Sequence, residues 1–359
     1  MSTPISWRAA ERRAASLAPP GPRASRPELR ALVTVLRSSA AEAPGHVAAI
    51  TGLGAAAEEA ARRPVYVVDR PRWAQANIAM FASLTDGLLP EPSLPGAARI
   101  GGEELGIMLS LLSTKVLGQY DPFTPHAPTA GDGVADPAGR LLLVAPNVLH
   151  VERELNLDAM DFRMWVCLHE QTHAVQFAAA PWLADHLSSR MRSLITTVSE
   201  PEGGRERLTR ALRAITDAFG RPGSGGDGAQ KVGGPLVEAF LTPQERAHMA
   251  ESVAVMSLLE GHADVVMDAV GPQLLPSIRR IRSSFEKRRD GTGVLDIALR
   301  RLMGMDAKVA QYRNGAAFVR GVVDRVGHDG LNAVWTAPPM LPTPDEIADP
   351  GAWVRRVHG

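Results

Sequence analysis

The sequence predicts a mainly α fold with a small β-sheet, and three observations carry that prediction. Apolar residues recur at helical spacing through most of the 359-residue chain. Only two short runs, Pro64–Asp69 and Arg140–Asn147, are apolar, bounded by turn residues and too short for typical helices. A long amphipathic run, Asp158 to Ala178, carries its polar residues as a cluster, His169-Glu170-Gln171-Thr172-His173, between apolar neighbours.

Taken in order, residues 1–27 are rich in Arg, Ser, Ala and Pro and read as a flexible N-terminal extension. They lack the apolar segment of a secretory signal. Residues 28–359 read as a single domain. Pro27 to Thr51 is helical, with Leu29, Leu32, Val33 and Leu36 on one side, and Ala55 to Arg62 is a short second helix. Pro64–Asp69 is a strand. Pro71 opens a helix through Leu84, proline being well placed in a first turn. Ala97 to Leu117 is helical and ends at Gly118-Gln119-Tyr120-Asp121. Arg140–Asn147 is a strand stopped by Pro146. Asp158 is the expected N-cap of the motif helix, which Pro181 ends. Helices follow at 182–198, 205–219, 243–270, 276–289, 294–303, 308–326 and 330–335. Between them, residues 220–234 hold seven glycines and read as a mobile loop. The Pro-rich stretch 338–350 reads as irregular.

Composition narrows the function. Lys plus Arg and Asp plus Glu are 39 each, and aromatics are 5%, so neither a basic surface nor a base-stacking one is expected, and nucleic acid is not an expected partner. No run of about 18 apolar residues suggests a membrane span. The single cysteine, Cys167, fits a reducing, cytoplasmic setting and reads as a small core residue.

The pattern H-E-x-x-H points to metal chemistry. On a helix, His169 and His173 lie one turn apart on one face and can close on one tetrahedral ion, with zinc the usual occupant. Glu170 then falls beside the metal, where it can take a proton from a metal-bound water. A catalytic zinc needs a third protein ligand. The best candidate lies in Leu258-Leu259-Glu260-Gly261-His262-Ala263-Asp264, charges embedded in a second apolar helix. Glu260 is the expected ligand, and Asp264, four residues on, can accept the free ring N–H of His169. His262 is the alternative ligand, roughly 200° around the helix from Glu260. Gly261 suggests a close approach of this helix to the motif helix. A salt-bridged face paired with Arg279 or Arg282 is the plain structural alternative for Glu260 and Asp264.

H-E-Q-T-H followed by E-G-H-A-D-V-V-M-D-A-V-G resembles the zincin-like metallopeptidase family of actinobacteria and relatives. Further matching stretches are Val67-Val68-Asp69-Arg70 with Trp73, Val116 to Asp121, Pro181-Trp182-Leu183, Lys308 to Gly315, and Leu341-Pro342-Thr343 with Glu346-Ile347. The resemblance spans nearly the whole chain beyond residue 50. It implies a mainly helical zincin-like fold, with an active-site helix packed on a second ligand-bearing helix and a zinc site. Members of that family carry hydrolase names, or are associated by genome occurrence with coenzyme F420 biosynthesis. The Glu-x-x-x-Asp arrangement is also similar to the gluzincin peptidases, from which this chain departs by a longer spacer between His173 and Glu260.

The expected function is therefore a zinc-dependent hydrolase, a metallopeptidase acting on a peptide or small amide with Glu170 as general base. A non-catalytic scaffold or binding protein that keeps the metal site is the alternative. Tyr312 and His248 are candidate donors to an oxyanion, and Asn147 could hold substrate if its strand forms a cleft edge.

Overall fold

The computed structural model describes residues 4–89, 94–124, 139–199, 242–290 and 305–359. The chain divides into two compact units, Met1–Ser188 with Val266–Glu286, and Ser189–Val265 with Lys287–Gly359. The expected helix at 205–219, the Gly-rich loop at 220–234 and the expected helix at 294–303 lie outside the described residues.

In the first unit the described elements are α1 (Trp7–Leu17), α2 (Arg26–Thr51), α3 (Gly54–Ala61), β1 (Val65–Val68), α4 (Arg70–Leu84), α5 (Ala97–Leu112), β2 (Gly118–Asp121), β3 (Arg140–Val144), α6 (Ala145–Glu154) and α7 (Ala159–Ala179). α8 (Leu183–Ser199) follows. The caps obey the sequence. Ser25 accepts a hydrogen bond from the backbone N–H of Glu28, and Asp69 does the same for Arg72. Gly52 ends α2 with φ of 75°, a left-handed conformation open to glycine at little cost.

The sheet has the order β1-β3-β2, with β1 parallel and β2 antiparallel to β3. β3 is central, and both its faces are buried. Leu141 and Leu143 enter one core with residues of α2, α3, α6 and α7, including Leu36, Ala57, Val148 and Val166. Leu142 and Val144 enter another with Ala10, Trp73, Ile78 and Leu109 from α1, α4 and α5. This two-sided burial explains an uninterrupted apolar run where a half-exposed strand would alternate.

Four readings are corrected here. Residues 7–17 are helical, and Ala9, Ala10 and Ala14 are buried, so this part of the N-terminal stretch is not a loose extension. Residues 118–121, read as the stop of a helix through Leu117, are an edge strand, and that helix ends at Leu112. The strand at 140 ends at Val144, because Pro146 sits in the first turn of α6, where its missing N–H costs nothing. The Pro-rich end forms two short helices, Pro344–Ala348 and Pro350–His358, each with a proline in its first turn. Thr343 and Glu346 form a capping box on the first of them.

The described helices of the second half are α9 (Pro243–Ala269), α10 (Ile278–Asp290) and α11 (Met305–Leu331). The last turn of α9 belongs to the first unit: Val266 and Met267, with Val270 just beyond the helix, share a core with Val166, Cys167 and Val175 of α7. Within the second unit α9 crosses α11 backbone to backbone. A Cβ on Gly261 would lie 2.1 Å from the carbonyl carbon of Gly315, and one on Gly315 would lie 1.9 Å from the carbonyl oxygen of Ser257. The close approach expected at Gly261 is real, but its partner is α11 and not the motif helix. Among the described residues, no helix is long and apolar enough to cross a membrane.

Candidate metal centre

Asp158 starts the motif helix by accepting hydrogen bonds from the N–H groups of Met160 and Asp161, both at 3.0 Å. Asp161 in turn accepts from the N–H of Ser277 at 2.6 Å, pinning the helix start. The buried face holds Val166, Cys167 and Leu168, and Gln171 donates to the carbonyl of Ala40 at 2.8 Å. Rotation of the helix is thereby fixed. Trp165, His169, His173 and Phe177, spaced four apart, share another face. Trp165 stacks on His169 with ring centroids 6.4 Å apart.

The two imidazoles meet through Nε2, 3.3 Å apart. His173 Nδ1 lies 2.9 Å from the side-chain oxygen of Gln176. An amide oxygen only accepts, so this contact puts the proton on Nδ1 and leaves Nε2 as a lone pair. Two nitrogens bound to zinc at about 2.0–2.1 Å in a tetrahedron stand about 3.3–3.4 Å apart. The observed separation equals that edge. Ligand atoms of His169, His173 and Glu260 all lie within 4.8 Å of one another. Two neutral imidazoles and one carboxylate form a donor set suited to zinc, so these residues fit the metal that the motif implies.

Glu170 is buried, at 8% exposure, and its surroundings are shaped by β2. Gly118 pairs with Leu143, and so faces the α7 layer as Leu143 does. A Cβ at Gly118 would lie 2.5 Å from Glu170 Cγ and 2.9 Å from its Oε1. Glycine is what lets the strand pass over this carboxylate. Cys167 is fully buried; burial first, and the Glu170 charge second, push its thiol far above the usual range. It is no nucleophile.

The other candidates separate. His262 is fully buried and meets Trp335 edge to face, with centroids 5.3 Å apart, so its direction around α9 differs from that of Glu260. Asp264 is half-buried, one turn beyond Glu260. Arg282 pairs with Asp268 at 2.6 Å. Asn147 is buried in the first turn of α6, just past the end of the central strand. It accepts from Arg70 at 2.7 Å and donates to the carbonyls of Ser113 and Val116 at 2.7 and 2.6 Å. Its polar atoms serve the fold. His248 precedes Glu260 on α9 by twelve residues, about 18 Å along the axis, too far for an oxyanion contact. The side chain of Tyr312 lies outside the described residues. Sequence reading missed Gly118 and Gln176. Gly118 looked like a helix stop, and Gln176 gave no signal beyond its three-residue spacing from His173.

A family model for zincin-like metallopeptidases matches residues 5–354. The chain is similar to a solved protein from Chloroflexus aurantiacus that carries the provisional name of a hydrolase with a novel fold. The two are 31% identical with a TM-score of 0.61, and the match covers 98% of each chain. Neither description mentions coenzyme F420 or an actinobacterial source. Comparison with curated proteins gives no match. With a family match over almost its whole length, the chain belongs to the zincin-like metallopeptidase family.

Proposed function

We propose that this protein is a zinc-dependent hydrolase of peptide or small amide bonds, with Glu170 as its general base. One observation carries the reading: two imidazole nitrogens at a tetrahedral edge length, with the Glu260 carboxylate beside them. Zinc bound there would polarise a carbonyl oxygen and make water a stronger acid. His169, His173 and Glu260 would hold it, and Gln176 keeps His173 in the tautomer that can bind. Glu170 accepts the proton of the attacking water and returns it to the departing nitrogen. Its side chain can reach that position because Gly118 leaves the space. Asp264 is the proposed acceptor for the His169 ring N–H, and Tyr312 remains the proposed oxyanion donor. The one cysteine, buried and unactivated, supports a cytoplasmic setting.

Zinc content by atomic emission, together with hydrolysis of a mixed peptide library, tests the proposal. The wild type should hold stoichiometric zinc and cleave, and lose cleavage on chelation. Glu170→Gln should keep the zinc and lose at least about 100-fold in rate. Full activity in Glu170→Gln sinks the proposed role. A zinc-loaded wild type that cleaves nothing in the library favours the scaffold alternative.

A further inference from the structure

A pocket of about 480 Å³ lies in the first unit beside the C-terminal end of the motif helix. That volume falls within the roughly 300–1,000 Å³ of sites that enclose small ligands. Two separate rulers place it next to the reacting groups. Along α7, Phe177 follows His173 by four residues, on the same face and about 6 Å further on. Along β2, Tyr120 follows Gly118 by two residues, on the same face and about 7 Å further on. Gly118 lies against Glu170, so both rulers start at the motif. They end at one wall: the rings of Tyr120 and Phe177 are 5.6 Å apart, tilted by 39°, and both line the pocket.

The lining decides what can enter. Leu84 and Phe123 extend the apolar surface, and the charged residues are Glu59, Arg63 and Asp185. Glu59 is held by Arg62 at 2.6 Å and by Arg63 at 3.1 Å. The lining itself sets one arginine against two carboxylates, and Arg62, from outside the lining, adds a second cation on Glu59, so the neighbourhood as a whole holds no net charge. A charged occupant would give up hydration against the apolar surface of Leu84, Tyr120, Phe123 and Phe177. An aromatic one would meet two tilted rings in the geometry that such rings prefer.

We infer that this pocket sets the specificity of the protein, taking a large neutral side chain, aromatic above all, from the substrate residue next to the scissile bond. The inference rests on the hydrolase reading, and the test separates the two. Binding of the amides of N-acetyl-tryptophan, N-acetyl-alanine and N-acetyl-arginine is measured by ligand-observed NMR, on protein as isolated and after chelation. The variants Ala184→Trp and Ala178→Phe fill the pocket from α8 and α7 respectively. The tryptophan amide should bind at least tenfold more tightly than the other two, with or without metal, and at least tenfold more weakly to each filled variant. If Ala184→Trp does not fold, Ala178→Phe decides. The same variants should shift cleavage in the peptide library from aromatic to small residues. Equal binding of all three amides, or filled variants that bind like the wild type, overturns the pocket assignment. Aromatic binding that the variants abolish, without hydrolysis of any peptide, overturns the hydrolase reading and keeps the pocket as a binding site. Cleavage that is indifferent to aromatic residues and to both variants does the reverse.

Discussion

Gly118→Ala adds one methyl group at the point where β2 crosses Glu170. That carbon would stand 2.5 Å from Cγ, 2.8 Å from Cδ and 2.9 Å from Oε1 of Glu170. Carbon atoms in good contact sit about 3.5–4.0 Å apart, so the side chain must retreat by about 1 Å. Gly118 does not have a positive φ, so alanine fits its backbone and the conflict falls on the carboxylate. A misplacement of about 1 Å in a reacting group can cost about 100-fold in rate, or about 2.7 kcal/mol of barrier. The metal ligands are not touched. The expected result is a fall of about 100-fold in kcat/KM on the best library peptide, with zinc content unchanged and the unfolding transition intact. Gly101→Ala is the control, since a Cβ there meets nothing within 4 Å. Activity within threefold of wild type in a folded, zinc-loaded Gly118→Ala protein would refute the argument that glycine holds this space for the base. Parallel loss of zinc and activity would refute the separation of base from ligands.

Gln176→Ala removes the acceptor that fixes the His173 tautomer, and zinc affinity measured by chelator competition should fall about 10- to 100-fold; unchanged affinity would mean that the 2.9 Å contact does no orienting. Gly315→Ala forces a methyl group to within 1.9 Å of the Ser257 carbonyl oxygen, and urea unfolding should register a loss of about 1–3 kcal/mol or more. Gly45→Ala, in α2 with nothing within 4 Å of its Cβ, should change stability by about 0.5–1 kcal/mol in the opposite direction. Arg356, hydrogen-bonded to Glu346 at 2.6 Å, holds that carboxyl below the usual carboxylate range, the Arg356 bond being the largest cause. A depressed carboxylate stabilises the fold above its unfolded pKa and loses that contribution as pH falls through the folded one. Arg356→Leu should therefore lower stability at neutral pH and flatten its decline below about pH 4.5, read by denaturant titration at several pH values. An unaltered acid limb would count against the pair.

Local signals wrote much of this protein plainly. Asp158, Ser25 and Asp69 cap the helices they precede, because a side-chain oxygen next to free N–H groups needs nothing distant. The four-residue spacing of His169 and His173 puts both on one face for the same local reason. Periodicity in Val253–Met267 also marked Glu260 as a charge that required a partner. Local pattern failed where a segment is defined by what lies beside it. Gly118–Asp121 is too short and too polar to announce a strand, and becomes one by pairing with β3. Arg140–Val144 read correctly as a strand, but only two packed layers explain why its apolar residues do not alternate. Gly261 signalled a close approach without naming α11 as the partner, and Asn147 looked like a substrate group until its three hydrogen bonds were seen to hold Arg70 and two carbonyls.

The sequence by itself determined the helical class, the pairing of the imidazoles and the place of Glu170 beside them, since each follows from residue spacing along a helix. Tertiary structure decided that His262 packs on Trp335, and that an edge strand with a glycine shelters Glu170. Those outcomes depend on which way a helix is turned and which strand lies across it. Packing of distant apolar residues sets both, and no local spacing records it.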